Sequence, residues 1–283
     1  MTGRNISADR WVAIQDLAEC VFEDHWGDIP VNPESIIKDC GITLSYGDYD
    51  SAFDGSLEHR AGRFHVYCNV PASEQRGSPR TRFTLGHELG HYFIDDHRNA
   101  LASGRAPQHG SFIYDSHDNK AEHEADFFAA SLLMPQSRFL GALHGSSADL
   151  QAVLDISSTF NVSTQCAAIR CVERTEWLCA IIMFREGKKP WWLISRELAR
   201  SGYPYFRRLD NYQPVKGSAT FKAQQKDVPN WTVIDSTTTA ACWFSGIGQA
   251  SERNAILSEQ AVRLGKHGVL TMLKLHARGQ AKC

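Results

Sequence analysis

The chain lacks what a secreted or membrane protein would carry. Its eight cysteines include no CxxC pair and follow no regular spacing. That excludes a disulfide framework and reads as reduced thiols in a cytosol. Long hydrophobic runs are also missing. A stretch such as Leu178–Phe184 falls far short of the roughly 20 apolar residues a membrane span needs. The start, MTGRNISADRW, lacks the basic, then apolar, then small pattern of a secretory signal. The expectation is a cytoplasmic protein with no membrane contact. Internal repeats and low-complexity tracts are absent too. With 42% hydrophobic and 22% charged residues over 283 positions, disorder and fibrous architectures are excluded.

Net charge is −2, yet it is unevenly spread. Residues 1–174 hold 14 Lys/Arg and 24 Asp/Glu, a charge of −10; residues 175–283 hold 16 and 8, a charge of +8. This predicts two domains, 1–174 and 175–283, with different partners or with attraction for each other. The patterning changes at the same place. Before Thr175, apolar residues repeat at helical spacing, with caps at Ser7, Asn32 and Ser78 and strands at Ile42–Tyr46 and Arg63–Asn69. A polar loop is expected from Arg98 to about Asn119, and Pro135 stops a helix begun at Lys120. After it come strand-like segments at Trp177–Arg185, Trp191–Ser195, Trp231–Phe244, Ile256–Leu264 and Gly268–Leu275. Strands following one another without crossover helices predict a mainly antiparallel sheet.

The chemistry concentrates in His87-Glu88-Leu89-Gly90-His91. Histidines four apart leave one face of a helix and can grip one ion, and Glu88 beside the first can act as general base on water. Apolar neighbours (Phe83, Leu85, Leu89, Tyr92, Phe93, Ile94) indicate a buried helix, where such polar groups need partners. Gly90 is costly inside a helix unless something approaches closely there. A catalytic zinc needs a third protein ligand. Glu122 and Asp126 lie on one stripe of the next long helix with Ala125, Ala129 and Leu133. Glu122 suits the ligand role, and Asp126 suits an acceptor behind a ligand imidazole. Glu124 reads as a solvated acid. His97, six residues after His91, is the rival ligand. It has the spacing of the longer HExxHxxGxxH pattern, but Ile94 stands where that pattern needs a helix-breaking glycine and is expected to continue the helix.

RFTLGHELGHYFID followed by EHEADFFAASLLMP resembles the ImmA/IrrE family of metallopeptidases, over about residues 7–174. The resemblance implies a Zn2+-dependent endopeptidase with a zincin-like helix pair. It also implies a substrate, a helix-turn-helix transcriptional repressor, cut to release genes in a phage, mobile-element, defence or stress pathway. The fold class expected is α+β: a mainly helical zincin-like protease domain with a small sheet, then a smaller α+β, GAF-like regulatory domain. The alternative is a non-enzymatic DNA-binding or ligand-sensing regulator with a degenerate metal site. The helix-turn-helix-like segment Asp149–Thr175 has few basic residues and reads better as packed helices.

Two further features bear on regulation. Cys68, on the strand before the HExxH helix, is either a small buried residue or an inhibitory thiolate for zinc's open position. The strand Arg63–Asn69 itself is expected to offer an edge to an extended substrate. In the basic half, Arg207, Arg208, Lys216, Lys222 and Lys226 mingle with Tyr203, Tyr205, Phe206 and Phe221. Cations mixed with aromatic faces suit single-stranded nucleic acid as an activating partner.

Overall fold

A computed structural model describes residues 6–50, 52–105, 119–207, 213–225 and 227–276. The chain forms two compact units, one of residues 1–144 and 156–163, the other of residues 145–155 and 164–283. Both helices and sheets are present in quantity, and the second unit is the richer in strands. No described helix is long and apolar enough to cross a membrane.

The first unit contains α1 (Ala8–His25), α2 (Pro33–Asp39), β1 (Thr43–Gly47), β2 (Gly55–Arg60), β3 (Arg63–Asn69), α3 (Pro79–Phe93), α4 (Asp95–Ala102), α5 (Lys120–Leu133), α6 (Gln136–Ala142) and the end of α7 (Leu150–Phe160). Short polar side chains start these helices by satisfying free amides. Ser7 accepts from Arg10 N, Asn32 from Glu34 N and Ser35 N, Ser78 from Thr81 N, and Asn119 from Ala121 N.

The sheet has order β1-β3-β2, with β1 parallel and β2 antiparallel to β3. β3 is therefore central and has no free edge, contrary to the expectation from sequence. The free edges belong to β1 and β2. β2 escaped the sequence reading because its outer half is Glu58-His59-Arg60 and its turn to β3 is Ala61-Gly62. Both turn residues have positive φ, 51° and 76°, as a two-residue hairpin demands. Ala61 is not a residue that advertises such a turn.

Ile94 also behaves differently from the expectation. It is extended (φ −75°, ψ 109°), ends α3 and is followed at once by α4. The stretch from Arg98 thus begins as helix, up to Ala102. His109, Tyr114 and His117 of the expected loop lie outside the described residues.

α3 and α5 cross very closely. A Cβ on Gly90 would stand 3.0 Å from Ala125 Cα and 3.1 Å from its carbonyl oxygen; one on Gly86 would stand 3.3 Å from Ala129 Cβ. Two glycines four apart on α3 meet two alanines four apart on α5, so the backbones approach where larger residues would hold them off.

The second unit contains α8 (Thr164–Arg174), β4 (Cys179–Phe184), β5 (Trp191–Ile194), α9 (Arg196–Arg200), β6 (Tyr205–Phe206), α10 (Ala219–Ala223), β7 (Val233–Thr239), α11 (Ala240–Trp243), β8 (Phe244–Ser245), α12 (Ala250–Arg253), β9 (Ile256–Arg263) and β10 (Val269–Leu275). Five strands form an antiparallel sheet of order β5-β4-β10-β9-β7. One core gathers Ile182, Phe184, Trp243, Leu257 and Leu273; a smaller one sets Ala219 and Ala223 of α10 against Ala261 and Val269. The expected strand Trp231–Phe244 is interrupted, because Ala240 turns the chain into α11. None of the described cysteines forms a disulfide.

Substituting Gly90 by alanine tests the close crossing. Helix propensity alone would make it stabilising. We expect instead a loss of about 1–3 kcal/mol from overpacking against Ala125, read by urea denaturation.

Candidate metal centre

The HExxH residues sit in the middle of α3, and nearly everything around them is buried. His87 is 2% exposed, Glu88 1% and His91 5%. The close crossing brings Glu122 of α5 against both imidazoles. His87 Nε2 and His91 Nε2 are 3.1 Å apart; Glu122 Oε2 lies 3.2 Å from the first and Oε1 3.4 Å from the second. His87, His91 and Glu122 are the group among the described residues whose donor atoms converge as a metal site requires.

The spacing fits an ion. A tetrahedral zinc with ligands at 2.0–2.1 Å needs donor atoms about 3.3 Å apart, which the three separations bracket. The donor set, two imidazoles and a carboxylate, is also the kind that leaves a coordination position open in catalytic sites. Electrostatics agree. Burial disfavours a charged His87, yet the hydrogen bonds it donates to Asp126 and Glu122, with the charges of Asp126 and Glu88, outweigh burial and raise its pKa well above the ordinary value. The carboxylates thus create a strong demand for positive charge at this point.

Asp126, one helical turn beyond Glu122, places Oδ1 2.9 Å from His87 Nδ1. A carboxylate there fixes the ring so that Nε2 faces the other donors. Glu88 points to the sheet side of α3. Its Oε1 lies only 2.6 Å from where a Cβ on Gly55 would be, and Thr84 Cγ2 is equally close at 2.5 Å. The first residue of β2 must therefore be glycine for Glu88 to keep its place. Sequence reasoning missed Gly55, whose signal was hidden at the end of a polar turn.

Glu124 is not the solvated acid expected. It is 1% exposed and receives two hydrogen bonds from Arg10 of α1, Nε to Oε1 at 3.1 Å and Nη2 to Oε2 at 2.7 Å. His97 of α4 adds Nε2 at 3.2 Å. Burial raises the pKa of Glu124, but Arg10, His97 and Lys120 more than offset it and hold it below its usual value. The helix is covered on this side by α1, with Trp11 edge-on to Phe127 at 4.6 Å. That covering is long-range and invisible to a helical phase argument. His97 is thus engaged with Glu124, outside the convergent group, although its ring stands 5.1 Å from that of His91.

Cys68 lies on β3, paired in register with Gly55 on one side and Tyr46 on the other. It is fully buried and outside the convergent donor group. Burial, with the Glu88 charge nearby, pushes its thiol up to about 12. Of the basic residues in the second unit, Arg207, Lys216 and Lys222 are exposed, while Arg208 and Lys226 lie outside the described residues. Two expected stacking partners are structural instead. Tyr203 is buried with its hydroxyl donating to Glu252 O, and Phe206 stacks on Phe244 at 4.9 Å. Tyr205, at 67% exposure, keeps a free face.

Paired histidines on one helix and a carboxylate on the next define the HExxH class of metal centre. The family follows from comparison: residues 71–172 match peptidase family M78, described as the IrrE N-terminal-like domain, and the chain thereby carries a domain of the ImmA/IrrE family. No curated protein matches by sequence. Among solved structures, a Mycobacterium tuberculosis transcriptional regulator is similar in fold, with TM-score 0.57, 12% identity, and 96% of this chain and 89% of that one covered.

Two substitutions check this construction. Asp126→Asn removes the carboxylate behind His87 and should weaken metal affinity about 10–100-fold in a chelator competition. Arg10→Leu takes from the buried carboxylate of Glu124 its two-pronged partner, leaving only His97 and Lys120, and should cost about 2–4 kcal/mol in chemical denaturation, with Arg10→Lys recovering part of it.

Proposed function

We propose that this protein is a zinc-dependent endopeptidase that cuts a helix-turn-helix transcriptional repressor and so releases gene expression. The observation that carries the reading is the buried triangle of His87, His91 and Glu122 with Glu88 on the same helix. Membership of a peptidase family supports it. The likeness in fold to a transcriptional regulator is in keeping with a role in transcription.

In this reading His87, His91 and Glu122 hold the zinc, which when bound would supply Lewis acidity and lower the pKa of water to about 7. Asp126 keeps His87 in the tautomer that presents Nε2. Glu88 takes a proton from water at its carboxylate and hands it to the departing amine, as a general base that becomes a general acid. β2 is an edge strand whose first residue, Gly55, packs against this carboxylate, and an extended segment of substrate would pair along its free edge. The edge is thus assigned to β2 in place of β3. The second unit, in the role of a GAF-like sensor, regulates cleavage. Its exposed Arg207, Lys216 and Lys222 are available to a polyanion such as single-stranded nucleic acid.

The test is co-expression with helix-turn-helix proteins encoded beside it, followed by mass spectrometry of the products. A discrete cut is expected with the native chain, and Glu88→Gln should reduce it about 10²–10⁴-fold while metal content stays unchanged. Cleavage by Glu88→Gln at the native rate would remove Glu88 as base. Absence of any cut under every inducing condition would favour the non-enzymatic regulator.

A further inference from the structure

The first unit holds a cavity of about 510 Å³ that the catalytic reading does not use. Its walls include Trp26, Asn32, Tyr46, Arg76, Arg82 and Leu85. Arg82 and Leu85 lie on α3, but not on the side that bears the histidines. At 3.6 residues per turn, the direction of Arg82 and Leu85 is about half a turn from that of His87 and His91. The cavity is therefore behind the catalytic helix.

Its two guanidinium groups are unusually placed. Arg82 is only 8% exposed. It donates from Nε to Asn161 O at 3.0 Å and from Nη2 to Phe160 O at 3.4 Å, so it covers the end of α7. No carboxylate among the described residues pairs with it, and burial alone lowers its pKa. A guanidinium has five donors, and two carbonyls leave several unused. Arg76, on the exposed rim, lies over the Tyr46 ring at 4.6 Å and feels the charge of Glu34, which is itself bonded to Lys38 and Tyr46. Two carboxylates also line the cavity, and both are already engaged. Glu34 takes Lys38 Nζ at 2.7 Å and Tyr46 OH at 2.8 Å; Asp28 accepts from Ile29 N at 2.8 Å. The Trp26 indole, 39% exposed, supplies a flat apolar wall.

We propose that this cavity is a binding site for a small organic oxyanion, phosphate- or carboxylate-bearing, whose charged end lies between Arg82 and Arg76 and whose body rests on Trp26. The volume suits a ligand of that size. An incoming oxyanion would give the buried Arg82 the counter-charge that it lacks, and guanidinium groups recognise phosphate and carboxylate alike through paired N–H donors. The site stands whether or not the metal centre is a peptidase, because none of its residues belongs to that centre.

Isothermal calorimetry on the full chain, with inorganic phosphate, adenosine monophosphate and benzoate as probes, tests this. At least one probe should bind once per chain, and the panel separates phosphate from carboxylate and bare anion from anion with a ring. Arg76→Ala should weaken that probe at least about tenfold with an unchanged melting temperature, because Arg76 is on the surface. Trp26→Ala should weaken the ring-bearing probes and spare inorganic phosphate. Arg82→Lys should weaken all of them; should it fail to fold, the other two variants decide. Absence of binding by all three probes at about 10 mM would overturn the proposal. So would binding that is equal in the native chain, Arg76→Ala and Trp26→Ala.

Discussion

Everything in the first unit depends on how closely two helices can approach. Gly86 and Gly90 on α3 meet Ala129 and Ala125 on α5, and the separations leave no room for another carbon at Gly90. At that distance a glutamate on α5 reaches the point on which two imidazoles of α3 converge. One methyl group more, and the carboxylate would be held back from the histidines. A helix that spends stability on two interior glycines gains a three-donor cluster in return. Glu88, on the sheet side of α3, is buried as well, so a charge there acts in a low-dielectric setting where it is felt strongly.

Burying so many ionisable groups is costly, and the structure offsets the cost by pairing them in layers. His87 stands between Glu122 and Asp126. Two residues from each of these on α5, and so on the opposite side of the helix, Glu124 stands between Arg10 and His97. α5 thus directs carboxylates to both sides, one set to the metal centre and one to the supporting helices α1 and α4. The second network fixes α5 from behind, which is what holds Glu122 at the distance a metal requires.

Much of this was legible in the sequence. Helical spacing alone set His87 and His91 on one face, and the stripe Glu122, Ala125, Asp126, Ala129 marked the facing side of α5. Gly90 was readable as a point of close approach, though not its neighbour Ala125. What failed did so for tertiary reasons. Glu124 looked solvated because its cover, Arg10, lies more than a hundred residues away. His97 was set aside because Ile94 was expected to continue the helix. Ile94 in fact ends it, and His97 is kept from the donor group by its engagement with Glu124. β2 was missed behind an Ala-Gly turn, and with it the strand that borders Glu88. In the second unit segments rich in Trp, Ile, Val and Thr marked the main strands, while Tyr203 and Phe206 were drawn into the core by partners that composition could not reveal.

The central claim is the ligand set, and X-ray absorption spectroscopy of the zinc-loaded protein tests it most directly. The expected result is one zinc per chain with two imidazole nitrogens, one or two carboxylate oxygens and no sulfur in its shell, at ligand distances of about 2.0–2.2 Å. A third imidazole would bring His97 into the site, and a sulfur at about 2.3 Å would bring in Cys68. Either result would contradict the geometry on which the rest is built.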